Sequence, residues 1–120
     1  MDSPGQARKR ALEYIEEALN AAGIRHEARE AEPVPPAPGE VSPAYLLVTE
    51  DAYSEATRGY DVTVTAMILA SDHDDLSDAF AAVYAAVEVL RVSLRYDGFV
   101  GTEGQGELVG GVESYVVEGV

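Results

Sequence analysis

Tyr60-Asp61-Val62-Thr63-Val64-Thr65-Ala66-Met67-Ile68-Leu69 alternates with a period of two, and after the acid-rich break Ala70–Asp75 the chain runs into Leu76–Leu94 with almost no polar face. In the first part Tyr60, Val62, Val64, Ala66 and Ile68 share one side while Asp61, Thr63 and Thr65 take the other, the pattern of a half-buried strand. In the second part Leu76, Ala79, Phe80, Val83, Val87, Leu90 and Leu94 recur at spacings of three and four, which predicts a helix with one buried stripe. At about 100° per residue, Ala81, Ala82, Ala85, Val89 and Val92 gather on the reverse side, leaving Asp78, Glu88, Arg91 and Arg95 as its only charges. A helix apolar all round is buried all round. Either another helix of this chain or a neighbouring subunit is expected to cover Ala82, Ala85, Val89 and Val92.

Working outward, Ala44–Glu50 reads as a strand and Asp51–Gly59 as a polar loop, so the two strands suggest an antiparallel hairpin. Ser3-Pro4 is a cap followed by a proline suited to the first helical position, and Gly23 suits the left-handed position after a helix. Between them Ala7, Ala11, Ile15, Leu19 and Ala22, with Leu12 and Ala18 alongside, predict an amphipathic helix over Pro4–Ala22. Arg8, Lys9 and Arg10 stand in its first turns, where the dipole disfavours cations. They are a candidate basic patch for a partner, set against a solvated face with pairs such as Lys9 and Glu13. Ile24–Glu30 is short, charged and open to an extended conformation. Pro33, Pro35, Pro36, Pro38 and Pro43 mark a connector, about residues 31–43, that excludes helix and central strand.

After the long helix, Asp97-Gly98 reads as a turn and residues 101–111 as a glycine-rich loop. Its spacing fails the dinucleotide fingerprint and no helix follows to meet a phosphate. Val112–Val120 alternates Val112, Ser114, Val116 and Glu118 against Glu113, Tyr115 and Val117 and is expected to close the sheet. The expected fold is a single α+β domain over residues 1–120. A mixed or antiparallel sheet of about four to five strands packs with two helices, in the order helix-(strand)-strand-strand-helix-strand(s).

Composition narrows the function. The 120 residues carry 22 acidic and 8 basic side chains, a formal charge of −14, so exposed nucleic acid is repelled rather than bound. With 47% hydrophobic residues the chain is expected to fold in spite of that charge. There is no cysteine, which removes disulfides, thiolate chemistry and cysteine zinc sites. No apolar run is long enough to span a bilayer, and Met1-Asp2-Ser3-Pro4-Gly5 lacks a signal peptide's apolar core; the expectation is a protein made and kept in a cytoplasm. Asp72, Asp74, Asp75 and Asp78 could ligate a hard cation, but the glycine and terminal glutamate of a calcium loop are missing, and acids at a helix start are what the dipole favours, with Asp74 or Asp75 as the cap. His26 and His73 sit in unrelated polar contexts, no serine occupies a glycine-flanked elbow, and Lys9 is the single lysine. No catalytic, cofactor or metal set emerges, and the expectation is a protein that is not an enzyme.

Pro4–Ala22, the hairpin ending Tyr60-Asp61-Val62-Thr63-Val64-Thr65, the helix Leu76–Leu94 and the closing Ser114-Tyr115-Val116-Val117-Glu118-Gly119-Val120 together resemble the tail terminator family of long-tailed phages and related viruses. The resemblance covers nearly the whole chain and rests on arrangement and size. It implies a structural virion subunit at the head-proximal end of the tail, assembled in the host cytoplasm, that forms a ring, usually a hexamer. Such a ring caps the tail tube, stops its elongation and presents the surface for a head-completion or connector protein. DNA passes through the lumen without specific binding, and neither a cofactor nor a membrane is involved. The candidate subunit interface is Ala82, Ala85, Val89 and Val92 with Arg8, Lys9 and Arg10. Another head-tail connector or tail-completion protein would share much of this pattern. An acidic DNA mimic that inhibits a nucleic-acid-binding protein is a more distant alternative, and a halophilic surface is the other account of the charge.

Overall fold

The structure, a computed structural model, describes residues 3–29, 33–90, 93–103 and 108–120. The elements are α1 (Pro4–Ala21), β1 (His26–Ala28), β2 (Ala44–Ser54), β3 (Gly59–Ala70), α2 (His73–Glu88), β4 (Leu94–Glu103) and β5 (Val109–Val117). The strands form one five-stranded mixed sheet in the order β1-β2-β3-β5-β4, with β1 parallel to β2 and every other pair antiparallel. This is the expected α+β architecture, with both helices packed on one face of the sheet.

Local chemistry explains each helix boundary. Ser3 and Gln6 form a capping box, Ser3 Oγ accepting from Gln6 N at 3.2 Å and Gln6 Oε1 accepting from Ser3 N at 2.9 Å, with Pro4 in the first turn. At the other end Gly23 has φ 72°, which lets Ile24 N reach Leu19 O at 2.9 Å and Gly23 N reach Asn20 O at 3.1 Å, a Schellman closure. Ala7, Ala11, Ile15, Ala18 and Leu19 are buried, so a small-residue face brings α1 close to β2 and β3.

The β3 alternation holds. Val62, Val64, Ala66, Ile68 and Ala70 are buried beneath the helices and join Leu76, Phe80, Val83, Ala86 and Val87 of α2 in one core. Across the sheet the opposite face is polar at its centre, where Thr49, Thr65 and Ser114 form a hydroxyl ladder with oxygen separations of 3.1 and 3.0 Å. The chain end is stapled to the hairpin: Tyr60 N donates to Val120 O at 2.8 Å and Val120 N to Tyr60 O at 3.0 Å. A Cβ on Gly59 would lie 2.9 Å from the Gly119 carbonyl carbon, so this crossing requires glycine.

Several boundaries differ from expectation. The helix is α2, His73–Glu88, rather than Leu76–Leu94. Its cap is Asp72 rather than Asp74 or Asp75: Asp72 is extended, and its carboxylate accepts from Asp75 N at 2.8 Å while Asp74 and Asp75 fill the first turn. Leu94 belongs to β4 because it pairs with Val117, and that ladder outcompetes continuation of the helix. Asp97-Gly98 is a bulge within β4, made possible by φ 131° at Gly98, and not a turn. The expected loop at 101–111 is largely strand: Gly101–Glu103 lie in β4 and Val109–Gly111 in β5, while residues 104–107 lie outside the described residues. The β2–β3 strands also extend past the expected loop to a four-residue turn at Glu55–Arg58.

Proline-rich residues 33–43 cross without a helix or named strand, bridging the sheet only where Val41 pairs with Ala70. Residues 31 and 32 of the expected connector lie outside the described residues. Among the described residues no helix is long and apolar enough to cross a membrane.

Ile15 is fully buried between α1 and the sheet. Ile15→Ala should lower stability by about 2–5 kcal/mol, the transfer term plus the residual cavity. Urea denaturation of wild type and variant checks this.

Candidate functional site

The reverse face of α2 is open. Ala81, Ala82 and Ala85 are exposed and Val89, the residue at its C-terminal cap, is 73% exposed. α1 packs against α2 without burying these residues, so among the described residues the first of the two coverings expected for the face is not used. Val92 lies outside the described residues. Arg8, Lys9 and Arg10 fall on a different element. Arg8 pairs with Asp51 of β2 at 3.5 Å, Lys9 with Glu13 at 4.0 Å, and Arg10 is also engaged. The candidate interface residues therefore form two groups on two helices, and Arg8 and Lys9 sit in ion pairs of the exposed kind that contributes little.

The α2 face runs into a groove that the sequence reading did not single out. Between α2 and the edge strand β4 lies a cavity of about 380 Å³ walled by Ser77, Phe80, Ala81, Tyr84, Tyr96, Phe99 and Glu113. Strand parity builds it. β5 pairs Glu113 with Ala66, Tyr115 with Val64 and Val117 with Val62, so the side chains at 113, 115 and 117 point beneath the helices. On β4, Phe99 is opposite Glu113 and Tyr96 opposite Tyr115; the bulge between them is what keeps both rings on the helix side.

The rings interlock. Phe80 and Phe99 have centroids 4.9 Å apart, Tyr84 and Tyr96 meet edge-on at 5.1 Å, and Tyr96 stands 6.1 Å from Tyr115. Gly111 provides the floor, since a Cβ there would come within 2.8 Å of Phe99 Cε2 and 3.0 Å of Phe80 Cε2. Tyr84, Tyr96 and Phe99 remain about 40% exposed at 39%, 42% and 41%, an aromatic rim open to solvent.

Glu113 is the chemical centre of this groove. It is only 4% exposed, the nearby Tyr96 hydroxyl favours its ionised form, and its Oε1 is buried with no partner. Burial pushes its pKa up to about 7, with the Tyr96 hydrogen bond pulling weakly the other way. The Tyr96 phenol is in turn pushed up by burial and by the neighbouring Glu113 charge. Tyr115 OH, on the same strand, is also buried without a partner. One signal in the sequence could have found this site: Glu113 has the same parity as Tyr115 and Val117, which must be inside.

The acid-rich break has a structural role. Asp72 caps the helix, and Asp75 is raised in pKa chiefly by the charge of Asp72. Among the described residues no group of three or more His, Asp or Glu side chains is placed to hold a metal ion. His26 is held on α1, its Nε2 2.9 Å from Asn20 Oδ1 and its Nδ1 3.9 Å from Glu16, while His73 opens α2.

A carboxyl raised in the folded state binds its proton more tightly there than in the unfolded chain. Its contribution to stability is therefore complete below about pH 4.5 and is lost as pH rises through about 7. The loss is on the order of 3 kcal/mol for a shift of this size. Glu113→Gln keeps the shape and removes the charge. It should leave stability near wild type at pH 5 and raise it at pH 8, so that the difference between the two thermal melting curves grows across that interval.

Neither the protein-family models nor the curated proteins compared with this sequence give a match.

Proposed function

We propose that the chain is a structural subunit of a phage-like tail, a tail terminator whose copies close into a ring on the end of the tail tube, six by the resemblance. The observation that carries this reading is the outward face of α2. Residues 79–87 contain no charge, and Ala81, Ala82 and Ala85 with Val89 form an exposed apolar strip continuous with the rim of Tyr84, Tyr96 and Phe99. Contiguous apolar surface of this kind, bordered by polar residues, marks an interaction site.

Charge supports the same reading. With a net −14 the subunit resists non-specific association, and the uncharged stretch 79–87 of α2, flanked by the exposed Asp78 and Glu88, is where that resistance is weakest. Acidic surfaces around a lumen would let DNA slide without adhering, since like charges repel at close range. In this reading the strip meets a different surface of the next copy, the head-to-tail arrangement that closes into a ring when its rotation is right. The tube end and a head-completion or connector protein would then meet the two rims of that ring.

Ala85 is exposed, so Ala85→Glu should change monomer stability by no more than about 0.5 kcal/mol while abolishing assembly. Light scattering of wild type should show closed oligomers, alone or on mixing with tail tube protein. The variant should stay monomeric with an unchanged circular dichroism spectrum. A wild-type chain that is strictly monomeric at high concentration and does not bind tube ends sinks the proposal.

A further inference from the structure

The apolar strip does not account for Glu113. A self-association face made of alanine, valine and aromatic rings gains nothing from a buried carboxylate with a free oxygen, and an unpaired buried acceptor is costly. Yet Glu113 Oε1 is buried without a partner, on the wall of a groove with room for a ligand. No described Arg, Lys or His forms an ion pair with it; Arg8, Lys9, His26 and Arg95 pair instead with Asp51, Glu13, Glu16 and Glu118.

The geometry points to a binding site for an organic cation carried on an apolar stem, a guanidinium or alkylammonium group, in the groove formed by Phe80, Tyr84, Tyr96 and Phe99 around Glu113. Two independent features select that chemistry. Aromatic faces attract a cation through their quadrupoles, more strongly when the cation is desolvated. A carboxylate at the wall supplies the counter-charge and has one oxygen free to accept. An anion would meet the carboxylate and is excluded. A purely apolar ligand would leave Oε1 unpaired, as it is now. Tyr84 and Phe99, both partly exposed, form the solvent-facing mouth through which the ligand enters.

This site stands independently of the ring. The cation has two possible sources with the same chemistry: a free small molecule, or an arginine of a second copy. Arg58 is one exposed internal donor. It is exposed at the turn of the β2–β3 hairpin, held with φ 55°, and its side chain has no partner among the described residues. The turn is remote from the groove in the same chain, since Gly59 and Ala66 are separated along β3 and Glu113 pairs with Ala66. Only another copy's Arg58 could enter.

The test uses n-butylguanidinium as probe and neutral n-butylurea as its isostere, added to the full chain at pH 8. Carboxyl carbon NMR follows Glu113 directly. The expected result is saturable binding of butylguanidinium with a downward shift of the Glu113 titration, at least about tenfold weaker binding to Glu113→Gln, and no saturable response to butylurea. Equal binding of the two probes, an unshifted titration, or unchanged binding to Glu113→Gln overturns the proposal. A second arm assigns the source. If butylguanidinium and Arg58→Ala each weaken self-association of the chain, the cation comes from the neighbouring copy; if assembly ignores both while the probe still binds, it is a free ligand. Loss of assembly in Ala85→Glu with probe binding retained separates the groove from the ring interface.

Discussion

The pairing register of β5 with β3 is the constraint on which the rest of this structure depends. β5 is central, with β3 on one side and β4 on the other, so its alternation decides which side chains lie under the helices. Val117 opposite Val62 and Tyr115 opposite Val64 are both buried there. A slip of one residue would send Ser114 and Val112 inward and expel Tyr115, the largest fully buried side chain. Holding that register carries Glu113 inward with its neighbours. The buried carboxyl is thus a consequence of the same alternation that makes the core, and the groove forms around it because Gly111, one step further along the face, leaves space for Phe80 and Phe99 to meet.

Legibility in the sequence followed how local the determining physics was. α1 was readable because its capping box, its glycine closure and its 3.6-residue stripe are all written within its own residues. The β3 alternation was readable for the same reason. The end of α2 was not, because Val89 and Leu90 continue an apolar pattern that suits helix or strand equally, and the decision is made by pairing of Leu94 with a strand more than twenty residues later. Glycines misled twice. Gly98 suggested a turn and makes a bulge, while Gly110 and Gly111 suggested a loop and lie within β5, one of them there because a side chain would collide with two phenylalanines. β1 was expected only as an optional extended piece within Ile24–Glu30, and it forms a strand because it adds parallel to β2.

The site was legible in one half. The bare reverse face of α2 could be read from residue spacing alone, since it requires only the helical period. Its pairing with an aromatic groove could not, because Phe80 and Tyr84 come from α2, Tyr96 and Phe99 from β4, and Glu113 from β5. Their convergence depends on a strand order that no local pattern encodes. The α1 cations show the converse: a cluster visible in sequence, Arg8 and Lys9, that the fold spends on Asp51 and Glu13.

The two features meet at Ala81 and Tyr84, which belong to both the outward strip and the groove wall. This contiguity matters for a chain so acidic. Bringing copies together concentrates negative charge, and association is easiest where no carboxylate has to be desolvated. Glu113 is the single acid at the groove, and burial has already displaced its pKa to about 7, so its proton can come or go near neutrality at small free-energy cost. Covered by an apolar neighbour, the carboxyl is best neutral; facing a cation, it is best ionised. A group poised between those states can accept either covering, whereas an ordinary exposed glutamate would oppose the first and a glutamine could not serve the second. In the proposed reading, the register that carries Glu113 inward would thereby make its charge state a report on what lies against α2.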